Sequence, residues 1–252
     1  MKKKIGSVYI GEGIPKVCVP ITGADLTELL EECKAAKESA ADLVEWRVDY
    51  FNNAFDTDKV LNALVAIKEI LGDLPLIFSF RTKDEGGEKA VDQERYITLN
   101  ELAAASGYVD AIDIELFQGE KVVTELISSA EVHRVTTIIS NHDFEKTPPI
   151  EELHRRVDKA IEYGGDVPKL AVMPKSEEDV LVLLETALRL KRQYPGKPFI
   201  MISMGGLGMV SRFSGEVFGS AITFASLKNA SAPGQISVEH MKTILELIHF
   251  AK

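Results

Sequence analysis

Short runs of apolar and β-branched residues recur along the chain, separated by longer stretches whose apolar positions fall three and four apart. The short runs are Lys16–Ile21, 42–48, 76–81, 109–116, 134–140, 167–173, 198–204 and 220–224. Each has the length of a β-strand, and helical spacing follows most of them. Val60, Leu64, Ile67 and Leu71 mark one helix face; Val180, Leu183, Leu184 and Ala187 mark a second; Val238, Met241, Leu245 and Ile248 mark a third. Ser176, with Asp179 three residues on, reads as a capping box, and Ser237 as an N-cap. The pattern is weakest between Gly206 and Glu216, where there is little room for a helix. A further apolar stretch, 5–10, precedes the first unit and reads as an extra strand or hairpin.

Repeated strand–helix units predict an α/β fold with a parallel sheet. Eight of them predict a closed (β/α)8 TIM barrel, with the 5–10 segment covering its bottom. A doubly wound open sheet is the competing architecture. No tract of low complexity and no shift in composition marks a linker, so one catalytic barrel domain is expected over 1–252.

Composition narrows the function. Hydrophobic residues make up 45% and charged residues 27% of the chain, the balance of a globular protein with a sizeable core. The formal net charge is -10, which disfavours nucleic acid and anionic membrane surfaces as partners. No apolar run approaches the length of a membrane span, and no apolar signal region follows the basic N-terminus. Cys18 and Cys33 form no C-x-x-C pattern, so neither a disulfide framework nor a zinc site is expected, and a cytoplasmic location fits.

Side chains alternate across a strand. In 167–173, Leu170 and Val172 suit the helix-facing side, leaving Lys169, Ala171 and Met173 to point inward. By the same alternation Glu45 and Arg47 share an inner face with Leu43, Arg81 follows Ile77 and Ser79, and His142 follows Ile138 and Ser140. Five ionisable groups thus face the barrel interior, most at or just past the C-terminal ends of strands. Unpaired buried charge costs several kcal/mol or more, and the C-terminal face is where barrel active sites sit. The pattern points to an anionic, oxygen-rich small substrate.

At these positions the sequence resembles a known family. The strings EWRVD from Glu45, FRTKDEGG from Phe80, NHDF from Asn141, KLAVMP from Lys169, SR at Ser211, GEVFGSA from Gly215 and SAPGQ from Ser231 resemble type I 3-dehydroquinate dehydratases, in order over nearly the whole chain. The resemblance implies cofactor-free syn elimination of water from 3-dehydroquinate to give 3-dehydroshikimate, in the shikimate pathway, by a homodimer. It implies that Lys169 forms an imine with the substrate ketone, an electron sink that eases loss of the neighbouring proton. Attack requires a neutral amine, which desolvation and neighbouring cations are expected to favour. His142 resembles the general acid/base of the family, and Glu85 the carboxylate that orients it. Arg212 matches the arginine that clamps the substrate carboxylate. Glu45, Arg47 and Arg81 match residues that hold substrate hydroxyls and shape the local charge, Met204 and Phe224 match apolar walls, and Ser231 and Gln235 belong to a loop that closes over substrate.

Two features depart from the family pattern. Pro20 stands where some members carry a substrate-touching serine, and the glycine-rich stretch 205–209 is unusual. Asp110, Asp113 and Glu115 lie together in the fourth run, but without a histidine partner they read as ion-pairing groups and not as metal ligands. No Walker or dinucleotide-binding string is present. Two other functions stay open at this level: a lysine-imine barrel aldolase with a phosphate site near strands seven and eight, and a non-catalytic binding protein.

Overall fold

The computed structural model describes residues 2–227 and 234–251. It opens with an antiparallel hairpin, β1 (Lys3–Ile5) and β2 (Val8–Ile10), turned at Gly6. Alternating elements follow: β3 (Lys16–Ile21), α1 (Leu26–Glu38), β4 (Leu43–Arg47), α2 (Thr57–Leu71), β5 (Leu76–Ser79), α3 (Gln93–Ala105), β6 (Ala111–Glu115), α4 (Glu120–His133), β7 (Thr136–Asp143), α5 (Ile150–Glu162), β8 (Val167–Val172) and α6 (Glu177–Gln193). β9 (Ile200–Ser203) leads into two single-turn helices, α7 (Val210–Phe213) and α8 (Gly215–Phe218), and then β10 (Ile222–Phe224) and α9 (Val238–Phe250). The short α7 and α8 explain the weak seventh unit of the sequence pattern.

Eight parallel strands run in the order β10-β3-β4-β5-β6-β7-β8-β9. The seam between β9 and β10 is closed by one bridge, Phe199 to Ser220. There the Ala221 N–H donates to the Phe199 carbonyl at 2.7 Å, and Ser220 Oγ accepts the Met201 N–H at 3.0 Å. The result is a nearly closed (β/α)8 barrel, as the sequence predicts; the open-sheet alternative does not hold.

The strand alternation sorts the side chains into two environments. Val17, Val19, Val44, Trp46, Phe78, Ile112, Ile114 and Ile139 face the helices and form the outer core. Leu170, Val172 and Met201 do the same against α5 and α6. Inside, one inward residue from each strand contributes to an apolar floor: Cys18, Leu43, Ile77, Ala111, Ile138, Val167, Ile200 and Ile222. Ile5 and Ile10 of the hairpin join this floor and are buried, so the 5–10 segment does plug the N-terminal end of the barrel.

Several strands are a residue or two shorter than their apolar runs, and two boundaries that differ from the sequence pattern lie around β7. Arg134 takes a left-handed conformation, φ 59°, that ends α4, so the strand starts only at Thr136. At its other end pairing with β8 continues through Asn141, His142 and Asp143, so His142 is held on the strand itself. Ser176 caps α6 by accepting the Asp179 N–H, although the Asp179 carboxylate reaches the Lys175 N–H instead of closing a capping box. Ser237 caps α9. No helix among the described residues is long and apolar enough to cross a membrane.

Candidate active site

Above the apolar floor, the next inward positions are Glu45, Ser79, Asp113, Ser140 and Lys169, all buried. Strand register puts Lys169 beside Ser140 and Glu115 also beside Ser140. The third level holds Arg47, Arg81, Glu115, His142 and Ala171. A cavity of about 620 Å³, counting its open mouth, is lined there by Glu45, Arg47, Arg81, Glu85, Gly86, His142, Phe144, Lys169, Ala171, Ile202, Met204, Arg212, Phe224 and Gln235. Ten of the eleven site residues expected from sequence therefore share one wall. The eleventh, Ser231, lies outside the described residues.

Lys169 Nζ donates to Asp113 Oδ2 at 2.9 Å and lies 3.5 Å from Glu45 Oε1. It sits over the ring of Phe224, 4.7 Å from the centroid. The groups that touch the amine are thus carboxylates, not the neighbouring cations expected from sequence. Arg81 stands behind Asp113: its Nη2 donates to Asp113 Oδ1 at 2.7 Å, and its Nη1 to Glu115 Oε1 and Ser140 Oγ, each at 3.0 Å. Burial alone would raise the Asp113 carboxyl, but Arg81 and Lys169 outweigh it and hold that group far below the usual carboxylate range. Asp113 and Glu115 are ion-pairing groups, as the sequence pattern indicates, and no cluster able to hold a metal occurs among the described residues.

His142 and Glu85 form a second unit. Glu85 ends a turn of 3-10 helix, Lys83–Glu85, after β5, and is buried. Its Oε2 accepts the His142 backbone N–H and faces the ring Nδ1, both at 2.9 Å. Its Oε1 accepts Asn141 Nδ2 at 3.1 Å, and Arg81 Nη1 lies 3.6 Å from Oε2. Burial and the charge of Glu115 push the Glu85 carboxyl up to about 8, against the pull of Arg81, Asn141 and the His142 amide. Burial, Arg81 and Lys169 hold the His142 imidazole well below its ordinary value. Both shifts favour an uncharged imidazole. With Nδ1 committed to Glu85, Nε2 is the ring nitrogen left for the cavity. Phe144 stacks on the imidazole at 6.5 Å and 21°. Its ring lies across Gly86, whose positive φ of 82° and lack of a side chain leave the space.

The remaining cations come from two directions. Arg47 is held by Asp49 in a bidentate pair at 2.8 and 2.7 Å and lies over Tyr50, 5.0 Å from the ring centroid. Arg212, on α7, reaches the cavity with Nη1 3.4 Å from the Phe224 carbonyl, and burial lowers it to about 10. Ser211 fixes the start of α7 by accepting the Ser203 N–H at 2.9 Å and donating to the Gly208 carbonyl at 2.8 Å. A side chain at Gly208 would collide with the Ser203 backbone, and one at Gly234 with the Gly205 carbonyl. Gly205, at the start of the unusual 205–209 stretch, thus lies directly against Gly234 at the end of the following loop. Pro20 pairs in register with Glu45 and offers no hydroxyl there.

Sequence reasoning did not assign site roles to Asp49, Asn141, Phe144 or Asp113. The first three lie inside the quoted strings, and Asp113 shares the inner face of Ala111 and Glu115. Alternation alone could have found Asp113; the partners of Asn141 depend on tertiary contacts.

The type I 3-dehydroquinase family model matches residues 17–252. A 3-dehydroquinate dehydratase from Bacillus licheniformis is 49% identical over 251 residues, 99% of each chain. One from Salmonella agona is 47% identical over 98% of each. Among solved structures, a type I 3-dehydroquinate dehydratase from Clostridium difficile with covalently modified comenic acid superposes with a TM-score of 0.97, at 44% identity over 100% of this chain and 99% of that one. A 3-dehydroquinate dehydratase from Geobacillus kaustophilus gives 0.96, at 36% identity over 99% and 97%. The chain belongs to the type I 3-dehydroquinase family and is an enzyme of the hydro-lyase class.

Proposed function

We propose that the chain dehydrates 3-dehydroquinate to 3-dehydroshikimate through an imine on Lys169, within one barrel domain and as a step of the shikimate pathway. The observation that carries this is a buried amine at the floor of a cavity that also holds an imidazole–carboxylate pair and two arginines at its rim. Family membership supplies the substrate.

Attack on the ketone requires Lys169 to lose a proton. Asp113, locked by Arg81 and Ser140, is a poor acceptor, so Glu45 at 3.5 Å receives it. The amine adds to the carbonyl carbon, and the proton that left the ammonium is passed on through His142 Nε2 to the carbinolamine oxygen, which leaves as water, so that Nε2 is free again for the next step. The resulting iminium accepts the electron pair when His142 Nε2 removes a proton from the adjacent carbon. The enamine returns that pair to expel the β-hydroxyl, which takes the proton from His142 and departs as a second water. Addition of one water to the new iminium frees product and amine, so the sum is loss of a single water. Arg212 binds the substrate carboxylate, Arg47 and Arg81 hold hydroxyls, Phe224 and Met204 supply the apolar wall, and the loop carrying Ser231 and Gln235 excludes water. No cofactor takes part.

This function is tested by adding 3-dehydroquinate and following the absorbance of the conjugated enone product. The native chain should turn over, and Lys169→Met should lose activity by at least about 10³-fold while remaining folded. Turnover of a ketose phosphate in place of 3-dehydroquinate would support the aldolase alternative; comparable turnover of 3-dehydroquinate by Lys169→Met would remove the imine from the mechanism.

A further inference from the structure

Arg156 lies on α5, outside the cavity wall, yet it is the far end of a chain of contacts that reaches the imidazole. Its Nε donates to Glu152 Oε1 at 2.8 Å, one turn back on the same helix. Its Nη1 donates to Asn141 Oδ1 at 2.6 Å and lies 3.7 Å from Asp143 Oδ2. Phe117 covers the guanidinium, 5.2 Å from ring centroid to Cζ, and the side chain is only 10% exposed. Asn141 Nδ2 in turn donates to Glu85 Oε1 at 3.1 Å, and Glu85 Oε2 meets His142 Nδ1.

The chemistry of the donors fixes the direction of this chain. A guanidinium has donors only, so the atom of Asn141 facing it must be the carbonyl oxygen. The amide nitrogen then necessarily faces Glu85, presenting a donor to the carboxyl. A donor there favours the ionised carboxylate. Were the amide reversed, its oxygen would meet Glu85 Oε1 and stabilise the protonated acid instead. An ionised Glu85 takes the Nδ1 proton as partner and leaves Nε2 of His142 with its lone pair toward the cavity. A protonated Glu85 donates to Nδ1 and puts the ring proton on Nε2, which then cannot act as a base.

We propose that Arg156 is a positioning residue: by locking the orientation of the Asn141 amide it keeps the Glu85–His142 pair in the form whose Nε2 can remove a proton. This rests on the assignment of His142 as the base in the proposed elimination. The other groups facing the pair are Arg81 and Glu115 beside Glu85, and Arg81, Lys169, Asp113 and Arg47 around His142. None of these is a contact of Arg156, which meets the hydrogen-bonded chain to the pair at Asn141; its other charged neighbours are Glu152 and Asp143, the residue after His142.

The test compares Arg156→Met, Arg156→Lys, Asn141→Ala and the Asn141→Ala/Arg156→Met double variant with the native chain. Rates are measured across pH and normalised to the fraction of sites trapped by borohydride with 3-dehydroquinate, which counts folded, imine-competent molecules. Arg156→Met should lower kcat/KM near neutral pH by about 10- to 100-fold, part of the roughly 10²–10⁴ that proton transfer contributes. Its acid limb should move to higher pH, with KM little changed. Arg156→Lys, which keeps a donor-only cation, should restore much of the profile. In the Asn141→Ala background, Arg156→Met should have almost no further effect. An unshifted profile in Arg156→Met, or full additivity with Asn141→Ala, overturns the proposal while leaving the imine mechanism intact. Failure of the native chain to trap or turn over substrate would instead defeat the proposed function.

Discussion

Glu85 and His142 show how far two ordinary side chains are moved by their surroundings. Each meets the other at hydrogen-bond distance, and each is desolvated, so the pair titrates as a unit. Burial and Glu115 push the Glu85 carboxyl up to about 8, so the pair's extra proton is held on that carboxyl more tightly than on a free one. Proton abstraction requires the form without that proton, so the rate should rise as the pH rises through this value and fall as the pair becomes protonated below it. We therefore expect an acid limb in kcat/KM near 8, and expect Glu85→Gln to abolish that limb and leave only a small residual rate. A profile in Glu85→Gln with its limb unmoved would show that Glu85 is not part of the titrating unit. Around Lys169, too, the residue scale departs from the simplest expectation. The amine is held by Asp113 and Glu45, so the cations of the cavity act on it across a carboxylate and not by direct contact. Nothing in the alternation of strand residues distinguishes these cases, because alternation gives the face of a side chain and not its partner.

At the level of elements, the barrel divides its labour along the strand axis. Apolar inward residues close the floor with Cys18, Leu43, Ile77 and their neighbours, and the hairpin seals it from below. The last inward residues carry the charges. The hairpin should therefore govern stability without touching chemistry. Ile5→Ala is expected to cost about 2–5 kcal/mol, the usual loss for emptying a buried isoleucine site. The kcat and KM of the folded fraction should stay unchanged. Urea unfolding together with steady-state kinetics checks both parts, and a change in kcat without a loss of stability would contradict this division. The elements were largely legible in the sequence because the chain writes them twice, as apolar runs and as helical spacing. Their ends were not. Arg134 stops α4 by adopting a conformation that few side chains take, and β7 runs on to Asp143 because β8 continues to pair with it. Both are consequences of neighbours that a local pattern does not contain. The tight β9–β10 seam, one bridge reinforced by Ser220, was equally invisible, since it needs only a hydroxyl and two backbone groups.

On the scale of the whole molecule, a chain of net charge -10 concentrates cations in one cavity. The global field does not draw an anionic substrate in, so recognition depends on Arg47, Arg81 and Arg212 at short range. Strand alternation alone brought Glu45, Arg47, Arg81, His142 and Lys169 to one end of a barrel. The family resemblance added Glu85, Arg212 and Gln235 within its strings and Met204 and Phe224 outside them, residues that sit on loops or whose roles depend on chemistry that periodicity does not encode. The partners of Asn141 and Arg156 became visible only in three dimensions, whereas the inner face of Asp113 follows from alternation. The proposal for the intact enzyme has its most direct test in reduction with borohydride in the presence of 3-dehydroquinate, followed by peptide mapping. A stable substrate-derived adduct on the peptide containing Lys169, formed only when the ketone is present, is the expected result; turnover with no adduct on that lysine would contradict it.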